Sequence, residues 1–398
     1  MNTQEFKKAT NAETLKNRIW LTLIQETFPN VEVEGNRLTF YSDKMQILSF
    51  FCERDTEEIT AIDKGAGFNS NVIKNITETV EKYLKHIPSI SYDTDVFFCF
   101  NSVNESYSFQ KEFQILPPIA GFPVPAKGNG NSAHPFIFEF SYSKIGLSNF
   151  DLDAIEQTKR KWLFLLNLIL NCSVWRQEQT EVKWCWVSYG EKHECKELPV
   201  GYFPTNFQKK VTRFTDIEAS PKIKLEDDLK YYGDIRSSNT VLTMPLGCEE
   251  MFSKFLRLSQ VDQDRFVKAA EWFYLGNQSR NLGKTIPFIC YTTAIETILP
   301  KAKQIAECPE CKLPKYDKSN RQRMIDLFET QAGISKEVTN EILKLRNTVL
   351  HDGKNLSLDR FSWSVPTMMF DYDKDVRSYL YQKAGCRAVL LKWLKAHA

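Results

Sequence analysis

The sequence predicts an α+β protein, in which a β-rich mixed region, residues 1–245, precedes an all-α helical bundle, residues 246–398. Three observations carry this expectation. Up to residue 245, short apolar–polar alternations of period two recur among three helical stretches. After Leu246-Gly247-Cys248 every segment follows helical spacing. Between the two, residues 205–240 are polar and mixed in charge, as a long connection with little regular structure would be.

Taken in order, the first helix is expected over residues 12–27, where Leu15, Ile19, Leu23 and Ile24 share a face. Strands follow at Leu38–Tyr41 and Met45–Phe51, then a helix over 69–85 opened by an Asn/Ser cap. Asp95–Phe100 and Ser108–Phe113 read as two further single strands. Pro117–Pro135 reads as a loop. Its Gly128-Asn129-Gly130-Asn131 is no phosphate cradle, because no Lys-Ser/Thr follows it. A strand at Phe136–Tyr142 and a strong helix over 151–172 come next. Val182–Tyr189 then alternates cleanly and puts Trp184 and Trp186 on one strand face, which reads as sheet core or as a base-stacking surface. His134 and His193, with Ser132 and Cys195 nearby, lack the spacing of a nucleophilic triad and read as loop residues. Beyond 245, helices are expected over 249–258, 261–278, 283–300, 319–330, 335–351 and 373–396.

Composition narrows the class. The chain has 398 residues, 42% hydrophobic and 26% charged, which suits cores in two or three domains rather than disorder. The longest apolar run, Trp162–Leu170, is broken by Asn167 and too short to span a bilayer, so no membrane partner is expected. Met1–Glu5 opens no apolar signal segment, and the ten cysteines suit a reducing compartment; both point to the cytoplasm. The net charge of +2 is unevenly spread. From residue 246 onward 24 Lys/Arg face 18 Asp/Glu, whereas the preceding part carries 28 against 32. A modestly basic C-terminal part is compatible with RNA.

The chemistry concentrates at Glu341–Gly353. Ile342, Leu345 and Val349 recur on one helical face, and Gly353 can close the helix in the left-handed conformation. Asn347 and His351, four apart, share a face, while Arg346 projects between Leu345 and Leu350. His351 lies in the final turn, where the negative end of the helix dipole favours its protonated form. An Arg and a His on one rigid helix end suit charge stabilisation and proton relay at a phosphate. The same two residues also read as a snorkelling helix cation and a C-terminal cap.

Arg346-Asn347-Thr348-Val349-Leu350-His351 resembles the Arg-polar-x3-His signature of HEPN-domain ribonucleases. Upstream, Arg265–Trp272 resembles the first helix of that family. Ile289–Leu299, with its Ala294-Ile295-Glu296 core, resembles the second. The arrangement is most similar to the HEPN domains of ApeA-type phage-defence proteins and covers roughly residues 255–398. What the resemblance implies is a HEPN-like bundle acting as an endoribonuclease that needs no metal for catalysis. It also implies a homodimer whose two Arg/His helices meet in one composite cleft. His351 would move a proton at the ribose 2′-hydroxyl or the leaving oxygen, Arg346 would stabilise the attacked phosphate, and Asn347 would orient the cleft. Glu296 is a candidate partner for Arg346. Such cleavage leaves a 2′,3′-cyclic phosphate and spares DNA. It would serve phage defence or a toxin-like effector, with residues 1–245 sensing a trigger or a regulatory partner protein. The competing reading is a non-catalytic HEPN-like interaction and binding module.

One further motif stands apart. Cys308-Pro309-Glu310-Cys311 can present two thiolates to one metal, so a structural zinc at Cys308 and Cys311 is an expectation, with Cys290, Cys386 or another subunit completing the ligand set. The alternative is a polar turn with two reduced thiols. No His-Glu-x-x-His or comparable set suggests a zinc hydrolase.

Overall fold

The computed structural model describes residues 12–42, 44–52, 59–85, 89–118, 134–176, 183–189, 192–198, 211–233, 241–300, 302–307, 310–311, 314–356, 359 and 369–397. A β-rich mixed N-terminal region is followed by a mostly helical C-terminal bundle. The chain forms two compact units. One comprises Met1–Asp93, Phe140–Thr158 and Lys210–Arg213, the other Thr94–Glu139, Lys159–Lys209 and Phe214–Ala398. Among the described residues no helix is long and apolar enough to cross a membrane.

The first unit contains α1 (Ala12–Thr27), β1 (Asn30–Glu34), β2 (Arg37–Ser42), β3 (Met45–Cys52), β4 (Ile59–Lys64) and α2 (Ser70–Lys85). The strands form an antiparallel meander in sequence order. Phe50 of β3 is fully buried and meets Trp20 of α1 edge-on at 5.3 Å and Phe40 of β2 at 5.7 Å. Ile76 and Val80, one turn apart on α2, complete the cluster with Ile19 and Ile24. Each such buried side chain contributes about 1.5–3 kcal/mol of transfer free energy.

The second unit is built on a five-stranded sheet of order β6-β7-β8-β5-β9. Its strands are β5 (Ser89–Cys99), which belongs to this unit from Thr94 on, β6 (Tyr107–Phe109), β7 (Phe113–Leu116), β8 (His134–Lys144), which belongs to it up to Glu139, and β9 (Val174–Arg176). The expected single strand over Ser108–Phe113 is instead a hairpin. Gln110 turns the chain at φ 49°, and Phe109 pairs with Phe113 across the turn. Both rings are buried and enter the same core, which alternation alone does not distinguish from a straight strand. After the helix α3 (Ser148–Ile169), β10 (Lys183–Tyr189) and β11 (Lys192–Leu198) form a further antiparallel hairpin. The side chains of Trp184, Trp186, His193 and Cys195 lie outside the described residues, as do Ser132 and Gly128–Asn131.

The expected polar connection is stitched down more firmly than its composition suggests. The Thr215 backbone N–H and hydroxyl donate to the buried Glu139 carboxylate at 2.8 and 2.6 Å, and Gln114 donates to it at 3.1 Å. Ile217 and Ile223 are buried. A short parallel pair, β12 (Leu225–Glu226) with β13 (Met244–Pro245), flanks the helix α4 (Asp228–Gly233).

The bundle comprises α5 (Cys248–Arg257), α6 (Gln260–Gln278), α7 (Thr285–Ile298), α8 (Asn320–Leu327), α9 (Lys336–Asp352) and α10 (Met369–His397). It is not helical throughout. The hairpin of β14 (Gln304–Glu307) and β15 (Pro314–Tyr316) separates α7 from α8. Trp162 of α3 is fully buried between Phe113 of β7 at 4.7 Å and Phe252 of α5 at 5.9 Å. Phe109 also meets Phe252, at 5.1 Å. The second unit therefore runs across residue 245, with sheet and bundle sharing one aromatic core.

Candidate functional site

The site is assembled on α7 and α9. Tight packing and opposite caps hold α7. Gly276 of α6 lies so close to Tyr291 of α7 that an added Cβ would stand 2.5 Å from the ring, so only glycine admits this approach. Tyr291 donates to Asn277 Oδ1 at 3.0 Å from within the core. At the start of α7, the Asp359 carboxylate accepts the backbone N–H groups of Lys284 and Thr285, both at 2.6 Å. At its end, Arg265 of α6 donates to the carbonyls of Thr297, at 2.8 Å, and Leu299. Anion at the amino end and cation at the carboxyl end both match the helix dipole. Glu296 is thus delivered on a helix fixed at each terminus.

The helix α9 is set by its own sequence. Ser335 caps its start by accepting from the Val338 N–H, and Gly353 ends it at φ 63° with an N–H to Thr348 O. Thr339, Ile342, Leu343 and Val349 are buried, and the helix packs on α7, α8 and α10. Leu345 is only partly covered, and Leu350 is 44% exposed. The buried stripe is therefore narrower than the spacing predicts and leaves its Leu350 edge open.

Arg346 projects from that edge onto α7. Its Nη2 donates to Glu296 Oε1 at 2.7 Å, and its Nη1 to Asn347 Oδ1 at 3.1 Å. Its Nε is buried and has no hydrogen-bond partner. The fork is therefore only partly committed. Arg346 and Glu296 form one wall of a groove of about 890 Å³, which Tyr316, Lys318, Asn320 and Arg323 line from the β15–α8 side. Arg346, Asn347 and Glu296 are thus brought together by the fold. His351 is exposed on the last turn of α9 and does not line that groove. At 100° and 1.5 Å per residue it stands about 140° round and about 7.5 Å along the helix from Arg346.

The zinc expectation is overturned. Among the described residues no group of three His, Cys, Asp or Glu is placed to hold a metal ion. Cys311 is exposed beside the β14–β15 hairpin, and Cys308 lies outside the described residues. Cys290 and Cys386, the chain's own candidates to complete the set, are buried inside α7 and α10, where desolvation pushes both thiols up and away from the thiolate that zinc binds. His134, expected in a loop, is buried at the start of β8, and burial lowers its pKa. The groove-lining set Tyr316, Lys318, Asn320 and Arg323 is the part that sequence reasoning missed. Its sole local signal was the Ser319 cap preceding a basic helix start.

The chain matches no family model, no curated protein and no solved structure.

Proposed function

We propose that the chain is an endoribonuclease that cuts RNA through its own 2′-hydroxyl, with Arg346 and His351 as the working pair. The observation that carries this reading is Arg346 itself. Its guanidinium is held by Glu296 at the edge of a cationic groove, with donors still uncommitted, at the end of a helix that also presents an exposed His351. In the reaction His351 takes the 2′-hydroxyl proton or returns one to the leaving 5′-oxygen. As the 2′-oxygen bonds to phosphorus and the P–O5′ bond breaks, Arg346 stabilises the negative charge on the phosphate oxygens. The products are a 2′,3′-cyclic phosphate and a 5′-hydroxyl. Asn347 holds the Arg346 fork from one side.

The angular gap between Arg346 and His351 favours a two-fold dimer, in which the His351 of one protomer approaches the phosphate held by the Arg346 of its partner. The open Leu350 edge of α9 suits such a contact. The Arg346–Glu296 ion pair also favours a second reading, a binding module in which Arg346 is a structural strut. One experiment separates the two. Wild-type protein is incubated with single-stranded RNA in EDTA beside His351→Ala and Arg346→Ala. Cleavage to cyclic-phosphate ends in wild type alone supports the nuclease. Absence of cleavage, or equal cleavage by all three proteins, leaves the binding module.

A further inference from the structure

The groove beside Arg346 is larger than one phosphate needs and has a chemistry of its own. Its volume of about 890 Å³ lies in the range that admits a small ligand or a nucleotide. Of its lining groups, Arg346 and Glu296 neutralise each other at 2.7 Å, which leaves Lys318 and Arg323 as the other cations of the lining. Lys318 is bound to Asp326 at 2.6 Å, but its side chain is 52% exposed, so that bridge is weak and exchangeable for another anion. Arg323 donates to Pro300 O and Asn320 Oδ1, while its Nε is buried without a hydrogen-bond partner. The amino end of α8, capped by Ser319, opens at Asn320 on the same wall and adds a partial positive charge. Tyr316, on β15, is 52% exposed at the groove and offers a ring face.

One cation with no carboxylate partner among the described residues, Arg323, a second in an exchangeable bridge, Lys318, a helix amino end and an exposed aromatic ring around one groove match a nucleotide unit better than a lone anion or an apolar ligand. We propose that this groove seats one nucleotide of the RNA next to the scissile phosphate, its base stacked on Tyr316 and its own phosphate at Lys318, Arg323 and the amino end of α8. The inference rests on the RNA reading of the site, but its residues lie apart from the Arg346–His351 pair. The β14–β15 hairpin, which lies between α7 and α8, thereby acquires the role of placing the RNA. Base–aromatic stacking tolerates any base, so the groove sets position along the strand more than sequence.

The test uses full-length His351→Ala protein, which holds RNA uncut, and a fluorescein-labelled 12-nucleotide single-stranded RNA followed by anisotropy. Tyr316→Ala should weaken binding about tenfold, the scale of one lost stack. Lys318→Ala should weaken it several-fold and make the salt dependence shallower by about 0.7 in log K per log salt, the mark of one lost phosphate contact on a single strand. Lys318→Arg should restore both. Lys268→Ala, which removes a charge from the exposed face of α6, should change neither beyond twofold. Affinity and salt slope unchanged in Tyr316→Ala and Lys318→Ala would overturn the proposal, even if wild type cleaves RNA. Binding lost in these variants, with no cleavage by wild type, would uphold the groove and sink the nuclease instead.

Discussion

The Arg346–Glu296 pair permits a test that separates chemistry from scaffolding. Its Nη2–Oε1 distance is 2.7 Å, and the two side chains are 24% and 32% exposed. Exposed pairs contribute about 0.2–1 kcal/mol, whereas removing one partner of a fully buried pair costs about 3–5 kcal/mol. This pair lies between those limits, so Arg346→Ala and Glu296→Ala should each cost about 1–2 kcal/mol, with a coupling of about 1 kcal/mol in a double-mutant cycle. The melting temperature should fall by about 2–8 °C in each, at roughly 2–4 °C per kcal/mol. The consequences for cleavage should diverge. Arg346→Ala removes the cation that meets the phosphate, and the rate should drop about 10²-fold or more. Glu296→Ala leaves that cation in place and releases it from its counter-ion, so the rate should stay within about tenfold of wild type. Urea unfolding gives the stabilities, and gel analysis of a labelled RNA in EDTA gives the rates. If Glu296→Ala and Arg346→Ala lose cleavage equally, Arg346 acts as a strut and the assigned role is refuted.

Four further outcomes are expected. His351 is exposed, so His351→Ala should melt within about 1 °C of wild type while cleavage falls about 10²-fold. A 2′-deoxy or 2′-O-methyl sugar at the cut position should block wild type entirely, and cleavage of such a substrate would end the 2′-hydroxyl mechanism. The isolated segment 246–398 lacks Phe109, Phe113 and Trp162, which cover Phe252, and should aggregate in light scattering, whereas a chain beginning at Thr94 keeps that core. Burial lowers the pKa of His134 below its ordinary 6.5, so the unfolded state binds the extra proton first as pH falls. Its contribution is complete above about pH 6.5 and is lost as pH falls from there through the lowered folded value. Thermal melts from pH 8 to pH 5 should show this loss in wild type and a smaller one in His134→Gln.

Sequence periodicity alone determined most of the elements, because helical and strand spacing are properties of contiguous chain. The expectation of α1 over residues 12–27 matches Ala12–Thr27, and α9 is bounded by the two signals written into its sequence, the Ser335 cap and the left-handed Gly353. Placement of Arg346, Asn347 and His351 on the end of that helix was likewise legible, as were the order of the helices and the β-rich start. Whatever depends on which surface covers which face was not. Gln110 turns the chain because Phe109 and Phe113 both find room around Trp162, and no local pattern announces that room. The caps on α7 come from Asp359 and Arg265, 74 positions after Thr285 and 32 positions before Thr297. The same non-local packing keeps Cys290 and Cys386 in the core, where burial favours thiols over the thiolates a zinc site needs. The groove is likewise a tertiary product. Its cations belong to a hairpin–helix segment whose own sequence reads as an ordinary solvated stretch, and only the packing of α8 against α9, and of α9 against α7, turns that stretch toward Arg346.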